Sequence, residues 1–213
     1  MDTAGIAALL EPFLDHPLAP PQLDQISTYI DLLLRWNARI NLTAIRSPDE
    51  IVARHFGESF FLARHLFPKS VAPHPPRVLD IGSGAGFPAL PLKIWAPHIH
   101  LTLVESNHKK AAFLREVART LTLTNINVLT DRAEILAARQ DFPRAEVVTL
   151  RAVEHFDTIL PQAVTFLAPN ATLALLISTA QIPHLTTLTT LQWHPPIPVP
   201  QSHARVLSIG VRK

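Results

Sequence analysis

The first seventy residues carry hydrophobic side chains at helical spacing. After a pair of prolines, apolar residues recur at steps of three and four through residues 23–40, a pattern typical of an amphipathic helix. A second helical pattern covers residues 49–67, and Ser47 followed three residues later by Glu50 predicts a capping box at its start. We therefore expect a helical N-terminal extension over residues 1–70.

Beyond residue 77 the pattern changes to short apolar runs that alternate with helical segments. The stretch 68–77 has four prolines in ten positions and marks a boundary between the two parts. The alternation predicts an α/β fold with a doubly wound, mostly parallel sheet over residues 77–213. The runs that predict its first five strands are RVLDIG (77–82), HLTLVE (100–105), NINVLT (125–130), EVVTLR (146–151) and ATLALLI (171–177).

Two further apolar runs end the sequence, QWHPPIPVP at 192–200 and HARVLSIGVRK at 203–213. No helical pattern of convincing length separates them, so they predict an antiparallel hairpin at one edge of the sheet. The first run contains four prolines, which makes it a poor central strand. With the hairpin, the predicted sheet has about seven strands.

The amino-acid composition excludes several kinds of protein and of functional site. At 213 residues and 47% apolar content, the chain can bury one core of ordinary size, and no apolar run reaches membrane-spanning length. With no cysteine, disulfides, thiolate metal sites and thiol catalysis are excluded, and no histidine or acidic cluster has metal-ligand spacing. We expect a soluble cytoplasmic protein without a metal. The net charge of +2 points only weakly to a polyanionic partner.

A glycine-rich loop follows the first predicted strand in the segment VLDIGSGAGFP. Its three glycines, Gly82, Gly84 and Gly86, permit positive φ and let a ligand approach the backbone. The loop lies at the carboxyl end of the sheet, where open α/β proteins bind ligands. Asp80 stands at the end of the strand that leads into it.

The second strand ends in an acidic residue at a spacing typical of nucleoside recognition. Glu105 follows Gly82 by 23 residues, where a carboxylate that binds a ribose diol is expected. A dinucleotide fingerprint would need a small residue where Phe87 stands, and Pro88 lacks an N–H for a pyrophosphate. The pattern favours S-adenosylmethionine, whose ammonium group Asp80 would attract.

Residues that the sequence lacks disfavour two classes of methyl-group acceptor. Methylation of a pyrimidine carbon 5 ordinarily needs a cysteine, and this chain has none. The fourth strand ends TLRAVEHF and lacks the Asn/Asp-Pro-Pro-aromatic tetrad typical of adenine amino-group methylation. Guanine N7 already has an exposed lone pair, so alignment and charge stabilisation would suffice. We expect no catalytic base.

Several segments resemble, in order and spacing, the small-subunit ribosomal RNA methyltransferase G family, formerly called glucose-inhibited division protein B. The resemblance implies a Rossmann-like class I methyltransferase fold and transfer of a methyl group from S-adenosylmethionine to N7 of a guanosine in bacterial 16S ribosomal RNA, near the decoding site. It also implies a cytoplasmic monomer. The segments are WNARINLT (36–43), RHFGES (54–59), VLDIGSGAGFPALPL (78–92), VESNHKKAAFL (104–114) and LRA (150–152).

Site residues follow from the loop and from the resemblance together. On the substrate side, Arg205, Arg54 and His55 are expected to position RNA, and Arg151 is expected to contact a phosphate or the cofactor's carboxylate. The expected cofactor-binding residues are Asp80, Gly82, Gly84, Phe87, Glu105, Ala133, Glu134 and Arg151.

The chain departs from the family pattern at four positions. Leu176 and Ile177 stand where the family usually has lysine and glycine, Val206 replaces a histidine, and Leu150 replaces a serine. These departures bear on acceptor contacts and catalytic strength. Two rival functions therefore stay open at this point: a nicotinamide-dependent oxidoreductase, and a catalytically silent RNA-binding protein on the same fold.

Overall fold

The N-terminal part is helical, as predicted. The computed structural model describes residues 1–68, 74–153 and 155–213, so the predicted proline-rich boundary lies partly outside the described residues. Its helical elements are α1 (Thr3–Leu10), a 3-10 turn (Glu11–Phe13), α2 (Pro20–Asn37), α3 (Pro48–Glu50), a π-helical segment (Ile51–Gly57) and α4 (Glu58–Leu66).

The predicted capping box at Ser47 is wrong. Ser47 does occupy the N-cap position of α3, but its side chain makes no capping hydrogen bond. The helix begins instead with Pro48 at the first helical position, where the fixed φ of proline favours helix initiation. In the described residues, no helix is both long and apolar enough to cross a membrane.

The second part is built on one mixed sheet, and all five predicted parallel strands are confirmed. The elements are β1 (Arg77–Ile81), α5 (Ala89–Trp95), β2 (His100–Val104), α6 (His108–Thr120), β3 (Ile126–Leu129), α7 (Ala133–Ala137), β4 (Ala145–Arg151), α8 (Phe156–Thr165), β5 (Leu167–Ser178), α9 (Ile182–Leu185), β6 (Leu191–Trp193), β7 (Ile197–Pro198) and β8 (Arg205–Arg212). The strand order in the sheet is β3-β2-β1-β4-β5-β8-β6.

The C-terminal hairpin forms as predicted, but within the described parts of the chain the sheet has eight strands and not seven. Both β6 and β7 pair antiparallel with β8. Pro195 and Pro196 lie between them and donate no N–H, so the first arm of the hairpin divides into two short strands. Strand β8 also pairs with β5, which places it inside the sheet.

Helices cover both faces of the sheet, which confirms the doubly wound arrangement. On one face, Ile30 of α2 and Phe56 of the π-helical segment share an apolar cluster with Leu101 of β2. On the other face, Leu160 of α8 packs with Val148 of β4. The helical extension thus shares its core with the sheet, and its division from the sheet as a separate domain stays a prediction.

Candidate functional site

A cleft of about 730 Å³ opens at the carboxyl ends of β1, β2 and β4, where the sequence predicts a ligand. We call it the glycine-loop cleft. Asp80, Arg54 and Arg205 are not in its lining. The predicted site residues that line it are Gly82, Gly84, Phe87, Glu105, Ala133, Glu134, Arg151 and His55.

The glycine loop adopts the backbone conformation that its sequence predicts. Gly82, Gly84 and Gly86 have φ values of +69°, +54° and +87°, in the left-handed region that favours glycine. Among the described residues, the nearest atom that a Cβ built on Gly84 would meet is the carbonyl oxygen of Gly82, at 3.7 Å. Since Gly84 lines the cleft, its missing side chain leaves space that a ligand can fill.

Glu105 holds the loop in place from the end of β2. Its Oε2 accepts a hydrogen bond from the Gly84 N–H at 2.8 Å, and its Oε1 accepts one from the Asn107 N–H at 2.8 Å. Asn107 in turn caps α6 through its side chain. The carboxylate therefore joins two ligand-facing segments. Each of its oxygens keeps a second lone pair, so a ribose contact stays a prediction.

Asp80 lies beneath the loop, only 1% exposed. Its Oδ1 accepts a hydrogen bond from Thr149 Oγ1 at 2.6 Å, while Oδ2 is buried without a partner among the described residues. Burial raises the pKa of Asp80 from 3.8 to about 6, against the opposing hydrogen bond from Thr149. Its predicted contact with an ammonium group stays a prediction.

Arg151 is bound by the helical extension through a buried network. Its Nη2 lies 2.9 Å from Glu58 Oε2 and donates to the Arg54 carbonyl at 2.9 Å. Both terminal nitrogens lie 3.1 Å from His55 Nδ1. Burial lowers the pKa of Arg151, and the nearby Glu58 carboxylate opposes that shift. The guanidinium thus lines the cleft in a fixed orientation.

His55 lines the cleft as a neutral ring. Because Arg151 donates to Nδ1, the ring proton lies on Nε2, which donates to Thr43 Oγ1 at 2.8 Å. Burial, followed by the charge of Arg151, lowers the pKa of His55 from 6.5 to about 3. The ring also stacks on Phe87, with 4.7 Å between centroids. With both nitrogens engaged, His55 is poorly placed to accept a proton.

Arg54 and Arg205 line a second cleft of about 440 Å³, together with Glu58, Ser178 and His203. We call it the arginine cleft. Arg205 Nε lies 3.2 Å from Glu58 Oε2, the same oxygen that Arg151 contacts, and Arg54 is exposed. The predicted substrate-side residues are therefore divided, since His55 belongs to the glycine-loop cleft and the two arginines do not.

Two functional candidates were missing from the sequence-based set. Glu58 lies 3% exposed between Arg151 and Arg205, and Tyr29 contacts the glycine loop from α2. The signal for Glu58 is an acidic residue within an otherwise apolar helical face. The signal for Tyr29 is weaker, because a tyrosine at a core position of a helix is usual.

The four departures from the family pattern are all buried and apolar. Leu150, Leu176, Ile177 and Val206 are at most 5% exposed. Ile177 pairs with Val206 across β5 and β8, and both share one apolar cluster with Leu150. These positions therefore contribute packing and no polar group to either cleft. Across the ranges described, no three His, Cys, Asp or Glu side chains are grouped to bind a metal.

Comparisons with known proteins identify relatives of this chain. The model of the rRNA small subunit methyltransferase G family matches residues 22–189. The ribosomal RNA small subunit methyltransferase G of Chloroflexus aggregans is 44% identical over 71% of this chain and 62% of its own length. The Roseiflexus castenholzii protein of the same name is 46% identical over 65% of this chain and 58% of its own.

The fold also matches solved structures. The ribosomal protein L11 methylase of Lactobacillus delbrueckii subsp. bulgaricus aligns with a TM-score of 0.56 at 15% identity, over 74% of this chain and 80% of that one. The match to the curated relatives spans about three fifths of their length. Because the family model matches residues 22–189, well over half of the sequence, this chain belongs to the rRNA small subunit methyltransferase G family.

Proposed function

We propose that this protein transfers a methyl group from S-adenosylmethionine to N7 of a guanosine in bacterial 16S ribosomal RNA, near the decoding site. The observation that carries the proposal is the contact between Glu105 and Gly84, which holds a left-handed glycine loop open at the carboxyl end of the sheet. Family membership supplies the reaction class and the RNA.

The residues of the glycine-loop cleft fit the cofactor. A Cβ on Gly84 would occupy open space there, and the two carboxylate oxygens of Glu105 keep lone pairs for ribose hydroxyls. When bound, S-adenosylmethionine supplies an electrophilic methyl group on its sulfonium. We propose that Gly82, Phe87, Ala133, Glu134 and Arg151 complete the binding site, since all of them line the cleft.

The state of His55 supports an acceptor that needs no proton removal. This ring lines the cleft, yet Arg151 and Thr43 occupy its two nitrogens, and its pKa of about 3 keeps it neutral. Guanine N7 carries a lone pair and no proton, so a positioned guanine can react without a base. In this proposal His55 and Arg151 orient groups and do not exchange protons.

Arginines beside Glu58 support an RNA partner. Arg151 and Arg205 both contact this one carboxylate, and Arg54 lines the arginine cleft together with Glu58 and Arg205, so positive charge exceeds negative charge here. The excess would attract the phosphates of a folded RNA. We propose that Arg205 and Arg54, which line the arginine cleft, bind phosphate and orient the target nucleotide beside the glycine-loop cleft.

We further propose that the protein acts as a monomer in the cytoplasm and uses no metal. Ribosomal RNA, the proposed substrate, places the reaction in that compartment. Light scattering during gel filtration measures the molar mass directly, and the mass of a dimer would contradict the proposed monomer. If the protein uses no metal, methyl transfer should be unchanged after treatment with EDTA.

The decisive experiment measures transfer of a tritiated methyl group to small ribosomal subunits and to naked 16S RNA from a strain that lacks this modification. We expect label to appear as 7-methylguanosine in digested nucleosides. RNA binding without label would favour the catalytically silent alternative. Binding of a nicotinamide dinucleotide, with none of S-adenosylhomocysteine by calorimetry, would favour the oxidoreductase.

A further inference from the structure

Helix α2 contacts the glycine loop through one hydroxyl group. Tyr29 is fully buried, and its phenol donates a hydrogen bond to the carbonyl oxygen of Ala85 at 2.5 Å. Ala85 lies between two glycines with φ of +54° and +87°. The contact therefore joins the helical extension to the most conformationally permissive part of the loop.

The ring of Tyr29 restrains the next part of the loop as well. It stacks on Phe87 with 5.3 Å between centroids and an interplanar angle of 5°. A Cβ on Gly86 would lie 2.4 Å from the Tyr29 hydroxyl oxygen, so this close approach requires glycine there. Both Ala85 and Phe87 line the glycine-loop cleft, which means that Tyr29 supports the cleft wall from behind.

Two successive groups of the loop are thus held from different parts of the molecule. Glu105 accepts from the Gly84 N–H on the side of the sheet, and Tyr29 donates to the Ala85 carbonyl on the side of α2. A loop with three glycines has many alternative conformations when it is not restrained. Any restraint that removes these alternatives raises the fraction of protein that is ready to bind a ligand.

We propose that Tyr29 is a positioning residue for cofactor binding, which holds the glycine loop in its binding conformation before the ligand arrives. This inference rests on the proposed function. The phenol donates and does not ionise, because burial raises the pKa of Tyr29 well above 10 and the nearby Asp80 raises it further. The helical extension therefore has a part in cofactor affinity besides any contact with RNA.

The first test replaces Tyr29 by phenylalanine, which keeps the ring and removes the hydroxyl. We expect the dissociation constant of S-adenosylhomocysteine, measured by calorimetry, to rise about five- to tenfold, the equivalent of one hydrogen bond. The KM for S-adenosylmethionine should rise in parallel while kcat stays unchanged. Phe61→Leu is the control, since Phe61 is buried in α4 and its aromatic contacts are with His65 and Arg64. It should lower stability and leave the affinity unchanged.

A second test uses the native side chain, in case Tyr29→Phe fails to fold. Tyr29 is the single tyrosine of the sequence, so 3-fluorotyrosine labelling gives one ¹⁹F resonance that reports this contact. We expect one narrow resonance already in the free protein, with little further narrowing when S-adenosylhomocysteine binds. A resonance that is split or exchange-broadened in the free protein and sharpens only with ligand, or equal affinity of Tyr29→Phe and wild type, would overturn the inference alone. Failure of the wild type to bind S-adenosylhomocysteine would overturn the proposed function and this inference together.

Discussion

Arg151 and Glu58 form a buried ion pair that joins the last residue of β4 to the first residue of α4. The guanidinium Nη2 lies 2.9 Å from Glu58 Oε2, and the two side chains are 8% and 3% exposed. A buried charge is costly unless its partner is present. The pair therefore couples the position of a cleft-lining arginine to the packing of the helical extension on the sheet.

Replacing Glu58 by alanine should destabilise the protein strongly. Two arginines that contact its carboxylate would lose their counter-charge, and breaking a buried pair typically costs about 3 to 5 kcal/mol. Urea denaturation measures the free energy of unfolding. The control is Glu146→Ala, whose pair with Arg77 has side chains that are 34% and 53% exposed and is worth about 0 to 1 kcal/mol. Equal losses of unfolding free energy in the two variants would show that burial does not make the Glu58 pair more important for stability than the Glu146 pair.

The raised pKa of Asp80 predicts a pH dependence of stability. The folded protein keeps this proton up to about pH 6, whereas the unfolded chain releases it near pH 3.8. The contribution of Asp80 to stability is therefore complete below about pH 4 and is lost as the pH rises to about 6. Wild type should lose on the order of 3 kcal/mol relative to Asp80→Asn across this window.

The contribution of Asp80 has to be measured as a difference in the free energy of unfolding between wild type and Asp80→Asn. His55 acts in the opposite direction, because its pKa is lowered and its contribution to stability falls as the pH drops from 6.5 towards 3. Urea denaturation of wild type and Asp80→Asn at matched pH values cancels the His55 contribution. Parallel stability curves would mean that the Asp80 carboxyl titrates near its ordinary pKa.

Filling the space at Gly84 should prevent cofactor binding. A valine there would place its side chain in the glycine-loop cleft, so S-adenosylhomocysteine should no longer raise the melting temperature. The valine also strains a backbone with φ of +54°, and Asn125→Val controls for this because Asn125 has the same φ in an exposed position. A Gly84→Val protein that binds normally would show that the cofactor lies elsewhere.

Much of this molecule could be predicted from local sequence patterns. The apolar runs predicted the five parallel strands, and the glycine loop adopts positive φ because its three glycines can. Contacts between distant segments could not be predicted in the same way. Glu58 and Arg151 are 93 positions apart, and Tyr29 and Ala85 are 56 apart, so each pair depends on how α2 and α4 pack on the sheet.

The predicted roles of the acidic residues show the same limit. Spacing alone placed Glu105 at a ligand, but it did not reveal that two backbone N–H groups already use its carboxylate. The expected attraction of Asp80 for an ammonium group stays a prediction, but its spacing did not reveal that the carboxyl is only 1% exposed and accepts a hydrogen bond from Thr149. Side-chain partners in a folded protein depend on tertiary packing, which the spacing of residues does not specify.

The two possible tasks of Glu105 can be separated by changing both protein and ligand. Glu105→Ala should weaken S-adenosylhomocysteine binding by about 1.5 to 3 kcal/mol, through loss of the loop anchor and of any ribose contact. A 2′-deoxyribose analogue tested by calorimetry on both proteins measures the ribose contact alone. If Glu105 binds the ribose, the analogue loses affinity for wild type and loses little for Glu105→Ala. Equal losses on both proteins would leave Glu105 as a loop anchor only.

The final prediction concerns the pH dependence of methyl transfer. Guanine N7 is unprotonated near neutral pH, and His55 stays neutral there because its pKa is about 3. Hence the single-turnover rate at saturating RNA and cofactor should be nearly flat between about pH 6.5 and 8.5. His55→Gln should keep both the flat profile and most of the rate, since a glutamine oxygen can accept from Arg151 and its amide can donate to Thr43. A profile that rises tenfold per pH unit in wild type and becomes flat in His55→Gln would instead identify His55 as a general base, and the neutral, fully engaged ring described above would then be the wrong state for catalysis.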